Sequence, residues 1–153
     1  MKKHRIIVPI AVLVIAVAVA ITLIGTSGSD SSTKSSTKKA ASQGVDATVK
    51  VTMGEMYMKV DSATIPAGKI KFAVANTGKV LHEFVILKND TPDGAMTVTN
   101  GKVSESTTVG EIGDVEVGAS KSGSFQLTPG TYQLVCNIAG HYPAGMHRTF
   151  TVT

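Results

Sequence analysis

The chain has 153 residues, 42% of them apolar and 17% charged, a length and balance that fit one compact domain and exclude wholesale disorder. Seven aromatics with no Trp, 15 Gly and a texture rich in Thr and Val favour many short strands and count against an all-α fold. A formal charge of +4 would raise nucleic acid as a partner, but from Val45 onward nine Lys and Arg meet ten Asp and Glu. The basic excess therefore lies at the N-terminus, and no nucleic-acid partner is expected.

Residues 6–24, IIVPIAVLVIAVAVAITLI, are an uncharged run of nineteen, spanning roughly 28 Å as a helix, enough to cross a bilayer. Signal-peptide cores are shorter, and the small-residue pair Ala18 and Ala20 lies inside the run rather than after it, so residues 1–25 read as an uncleaved transmembrane anchor; a cleaved secretion signal is the alternative. Lys2, Lys3 and Arg5 precede the run, which puts the N-terminus in the cytoplasm and the rest on the extracytoplasmic side of the cell membrane. Residues 26–44, TSGSDSSTKSSTKKAASQG, hold no large apolar side chain. They read as a flexible tether with a reach of about 25 Å.

From Val45 to Thr153 the pattern has period two, as strands require. In KIKFAVAN, Ile70, Phe72 and Val74 share one face, and LHEFVILK follows after the turn residues Asn76-Thr77-Gly78, so the two segments read as a hairpin-like pair. Residues 89–110 are polar and Gly-punctuated and read as a long connection with at most a weak strand at Met96 to Thr99. SFQL, TYQLVC and RTFTV give three further short strands, a spacing typical of sandwiches and barrels. The Cys pair and core Trp of an immunoglobulin-type sandwich are both missing, so a different β-sandwich is expected.

The chemistry concentrates in Cys136-Asn137-Ile138-Ala139-Gly140-His141-Tyr142-Pro143-Ala144-Gly145-Met146, between two of those strands. Cys136, the single cysteine, rules out an internal disulfide and a multi-Cys zinc site. It shares a strand face with Tyr132 and Leu134, while Gly140, Pro143 and Gly145 let the loop curl His141 and Met146 back toward it. His82 shares its face with Phe84 and Ile86, an imidazole aimed into an apolar interior on another strand. Each residue alone has an ordinary reading as core filler or a hydrogen-bonded histidine. Their coincidence points to a metal site. His4 belongs to the basic flank and His147 faces away from Met146, so both are bystanders. Two imidazoles, a thiolate and a weak thioether suit redox-active copper, whereas zinc prefers a stronger fourth ligand. A Cys–His nucleophile would lack an orienting group and a substrate pocket, so no enzyme is expected.

These residues resemble the cupredoxins, the blue or type 1 copper proteins, and within them membrane-tethered plastocyanin-like members. The resemblance spans roughly Val45 to Thr153 and is carried by Tyr132 to Cys136, Gly140-His141 and Gly145-Met146, with His82, Asn76 and Gly78 upstream. It implies an all-β Greek-key sandwich binding one copper ion, with His82, Cys136 and His141 as strong ligands and Met146 as the axial one. It also implies a carrier of single electrons between Cu(II) and Cu(I), whose redox partners dock briefly beside His141. There the rim reads as Ala139, Gly140, Tyr142, Pro143 and Ala144. Glu83 stands where many members have an Asn that braces the ligand loop; on a strand it faces away from His82 and is not expected to ligate. The competing function is a copper-binding or copper-delivery protein with no carrier role, favoured by Met53, Met56 and Met58, whose thioethers suit Cu(I).

Overall fold

The computed structural model describes residues 44–153. The apolar run 6–24 and nearly all of the tether lie outside the described residues, and among those no helix is long and apolar enough to cross a membrane. Every regular element described is a strand: β1 (Ala47–Gly54), β2 (Tyr57–Val60), β3 (Thr64–Ile65), β4 (Gly68–Asn76), β5 (His82–Lys88), β6 (Val98–Thr99), β7 (Lys102–Val103), β8 (Thr108–Val115), β9 (Ser120–Leu127), β10 (Gly130–Val135) and β11 (His147–Val152). They form a sheet of order β2-β1-β4-β9, a second of order β3-β11-β10-β5-β8, and the small hairpin β6-β7.

Alternation decides which residues the two main sheets bury between them. Ile70, Phe72 and Val74 of β4 meet Phe84 and Ile86 of β5, Leu134 of β10 and Phe150 of β11 in one apolar cluster. Phe72 sits at its centre, with its ring 5.3 Å from Phe84 and 5.6 Å from Phe150. Lys71, Ala73 and Ala75, the intervening residues of β4, are half-buried on the outer face. β5 is apolar on both sides because both are covered: Val85 and Leu87 pack in a second cluster with Val103, Val135 and Tyr142.

The hairpin expected from β4 and β5 does not form. β4 pairs with β1 in parallel and β9 antiparallel, whereas β5 pairs with β10 and β8. The Asn76-Thr77-Gly78 segment instead carries the chain from one sheet to the other, and the non-sequential strand order is the kind a Greek-key sandwich requires. The connection 89–110 holds the hairpin β6-β7 and the start of β8, an eight-residue strand absent from the sequence reading. Its pattern is faint because only Ile112 and Val115 are buried, among Gly110, Gly113 and charged neighbours.

Candidate metal centre

At one end of the sandwich, three donor-bearing side chains converge from two parts of the chain. The turn that precedes His82 is shaped by Asn76, a buried amide at the end of β4. Its Nδ2 donates to the carbonyls of Val80 (2.7 Å) and Val115 (2.8 Å), and its Oδ1 accepts from the N–H of Gly78 at 2.9 Å. The chain enters β5 at His82, which is fully buried. Opposite it the β5–β8 register slips between His82 and Phe84, an irregularity of the kind that re-aims side chains. The N–H of Glu83 lies at this slip and donates to Cys136 Sγ at 3.4 Å.

Cys136 follows β10 directly and is also fully buried. The loop it opens is closed on itself. The N–H of Cys136 donates to the Met146 carbonyl (3.0 Å), that of Met146 to the His141 carbonyl (3.1 Å), and that of His141 to the Ile138 carbonyl (2.9 Å). The loop is also tied to the hairpin below it. Asn137, buried, accepts from the N–H of Val103 at 2.9 Å and donates to the Val103 carbonyl at 3.0 Å and to a Glu105 carboxylate oxygen. The N–H of Gly140 donates to the Gly101 carbonyl at 2.8 Å. Gly101 has φ 79°, and a Cβ there would come within 2.8 Å of the Gly140 nitrogen, so only glycine lets hairpin and loop approach this closely.

The result brings His82 Nδ1 to 3.3 Å from His141 Nδ1, and Cys136 Sγ to 3.3 Å from His141 Nδ1 and 4.0 Å from His82 Nδ1. Metal-ligating atoms of the three residues lie within 4.8 Å of one another. Met146 is fully buried and packs in the same apolar cluster as Cys136. Burial lowers the His82 imidazole from its usual range, and the neighbouring His141 pushes the same way against the opposing Glu55 carboxylate. Burial likewise lowers His141, with Glu55 again opposing. Both rings therefore favour the neutral form, the one that can donate a lone pair. Burial raises the Cys136 thiol, against the hydrogen bonds from the Glu83 and Ile138 N–H groups. Two neutral imidazole nitrogens and a sulfur aimed at one point, beside a buried thioether, fit a soft redox metal.

The other readings divide. His147 takes no part in the cluster; its Nδ1 pairs with Asp93 at 2.8 Å and its ring packs on Tyr142 at 4.9 Å between centroids. Tyr142 is not on the rim. It is 1% exposed, and its hydroxyl accepts the Met96 N–H at 3.0 Å. The rim around half-buried His141 is Ala139, Gly140, Pro143 and Ala144, all exposed. Met53 and Met58 pair across β1 and β2 as buried core residues. Met56 lies outside β2 and is exposed, whereas Met58 is buried. Sequence reasoning passed over Glu55, whose Oε1 lies 3.6 Å from His82 Nε2, and Asn137; no spacing rule marks either, because their partners are distant in sequence.

The sandwich and its converged imidazoles and thiol define the cupredoxins, the blue copper proteins. Residues 50–153 match the sulfocyanin (SoxE) domain, and the chain belongs to that family, a cupredoxin-like copper protein with one type 1 copper as cofactor. Among curated relatives it is similar to the "Copper-resistant cuproprotein CopI" of Pseudomonas aeruginosa, 26% identical over 75% of this chain and 81% of that one. It is 32% identical to the protein of the same name from Rubrivivax gelatinosus, over 65% of this chain and 62% of that one. Among solved structures, auracyanin from Roseiflexus castenholzii superposes with a TM-score of 0.55 at 24% identity, over 72% of this chain and 99% of its own, which shows the shared fold. Rusticyanin from Thiobacillus ferrooxidans superposes with a TM-score of 0.53 at 25% identity, over 69% of this chain and 77% of its own.

Proposed function

We propose that the protein carries single electrons through a Cu(II)/Cu(I) site held by His82, Cys136 and His141, with Met146 as the weak axial ligand. The convergence of two Nδ1 atoms and one Sγ within 4.0 Å pairwise carries this reading. The bound metal supplies the one-electron couple. His82 and Cys136 sit in a fully buried shell, and the 136–146 loop is fixed to itself and to the β6-β7 hairpin. Such a shell resists rearrangement between oxidation states, which keeps electron transfer fast. Half-buried His141 is the exit toward solvent, and the small uncharged rim of Ala139, Gly140, Pro143 and Ala144 suits brief docking by redox partners. No catalytic turnover is part of this reading. The test is addition of Cu(II) to the purified protein: an intense visible band and a reversible one-electron wave are expected.

Residues 6–24 are proposed to anchor the domain outside the cytoplasmic membrane. Protease added to cells stripped of any outer layer should then degrade the domain, and protection until lysis would overturn the topology. N-terminal sequencing that begins near Thr26 would show a cleaved leader instead.

The copper-resistance names of the two curated relatives favour a second reading, a protein that holds copper to limit its toxicity. Such a protein would bind Cu(I) with no strong visible band and no reversible wave.

A further inference from the structure

The imidazole of His82 is buried with its Nδ1 facing Cys136 and His141. A ring that offers the Nδ1 lone pair must carry its proton on Nε2. That Nε2 is buried and without a hydrogen-bond partner, an arrangement that is unfavourable unless an acceptor is supplied. The acceptor facing it is a carboxylate: Glu55 Oε1 stands 3.6 Å away, just outside hydrogen-bond range.

Glu55 is not loosely placed. Its Oε1 also accepts the N–H groups of Lys79 (2.6 Å) and Val80 (2.9 Å), in the turn that delivers the chain to His82. A Cβ on Gly78 would collide with this same carboxylate, so the glycine makes room for it. One side chain from the β1–β2 turn thus caps the turn before His82 and points at the far nitrogen of its ring. Its side chain is 34% exposed, so it remains charged while its inner oxygen faces the site.

We propose that Glu55 is the positioning residue of His82: its carboxylate accepts the Nε2 proton, fixes the ring with Nδ1 toward the site, and places a negative charge behind a copper ligand. The inference rests on the ligand assignment proposed above. Such outer partners orient a ligand and strengthen its donation. A more strongly donating imidazole favours Cu(II), so Glu55 holds the reduction potential down.

Two measurements on the full-length protein decide it. In the copper-free form, nitrogen-15 NMR of the imidazoles should show His82 as the Nε2–H tautomer, with a slowly exchanging proton that becomes fast-exchanging in Glu55→Ala. In the copper form, Glu55→Gln keeps an acceptor but removes the charge. It should retain the visible band and raise the potential clearly more than Glu111→Gln, which neutralises an exposed carboxylate on β8. Glu55→Asp, charged but shorter, should fall between Glu55→Gln and the parent, and it serves if Glu55→Gln folds poorly. An Nδ1–H tautomer in the parent, or a Glu55→Gln potential no higher than that of Glu111→Gln, would overturn the proposal. A protein that shows no blue copper band overturns the function proposed above instead, and the copper-free tautomer then decides the role of Glu55 alone.

Discussion

The backbone N–H of Glu83 points at the sulfur of Cys136, 3.4 Å away, so the residue after one imidazole also holds the thiol. The bond is made by the main chain at a slip in the β5–β8 register, and it does not depend on which side chain follows His82. An Asn is therefore not needed for this contact. Glu83 itself is half-buried, and burial raises its carboxyl above the usual range, with Glu105 and Glu111 adding to the shift.

That shift gives a signed pH dependence for the copper-free protein. A carboxyl whose pKa is higher folded than unfolded contributes stability that is fully present below the unfolded value, about 4.3 for Glu, and is lost as pH rises through the folded value. At neutral pH the ionised Glu83 is thus a liability. Glu83→Gln should raise the melting temperature at pH 7, with the gain vanishing below about pH 4. It should leave the copper colour in place, because the Glu83 N–H is untouched. A melting temperature lowered at pH 7 would contradict the burial argument.

Copper uptake should release a proton. Burial keeps the Cys136 thiol protonated and both imidazoles neutral in the copper-free protein at neutral pH, whereas the metal requires the thiolate. Calorimetric titration with Cu(II) in buffers of different ionisation enthalpy should report about one proton released per copper at pH 7. Apparent affinity should rise with pH between 6 and 8, roughly tenfold per unit. No proton release would mean that the thiol does not ligate.

The candidate loop is legible in the sequence because its possible donors are close together and rare: one Cys, with His141 and Met146 five and ten residues on. His82 was legible because strand alternation put it on the face of Phe84 and Ile86, where the structure buries all three. What escaped was set by distant contacts. β4 and β5 look like a hairpin, since both alternate around a turn sequence, yet each finds its partners in a different sheet. β8 is half-exposed and broken by Gly110 and Gly113, so its periodicity is too weak to read. Tyr142 reads as rim from its place beside His141. Its burial follows from the β6-β7 hairpin and Met96 lying over it, which no local pattern announces.

Asn137 ties the 136–146 loop to that hairpin through the Val103 N–H and carbonyl. Asn137→Ala would leave the buried Val103 N–H and carbonyl without their side-chain partners. A loss of about 2–4 kcal/mol in urea unfolding of the copper-free protein is expected. Copper should still bind, since no donor atom is removed, but the visible band should broaden as the loop gains freedom. A substitution that changes stability by less than about 0.5 kcal/mol would mean that the hairpin does not brace the loop.

Cys136 and Met146 test the site from opposite sides. Cys136 belongs to the same buried cluster as Phe84, Leu134 and Met146, and its sulfur is 3.3 Å from His141 Nδ1. If the thiolate donates charge into Cu(II), Cys136→Ser should abolish the colour, because a hydroxyl is a far poorer donor. A purely structural cysteine would instead lose about 1–3 kcal/mol of stability on Cys136→Ser through the buried hydroxyl, with copper binding unchanged. Met146 is buried in the same cluster, and Leu is close to it in volume, so Met146→Leu should cost under about 1.5 kcal/mol. A weak axial thioether stabilises Cu(II) only slightly, so its removal should keep most of the colour and move the reduction potential upward. Absorption spectra and voltammetry on the two variants separate the outcomes. Colour lost in both would make Met146 an essential ligand rather than a tuning one, and colour kept in Cys136→Ser would remove the thiolate from the site.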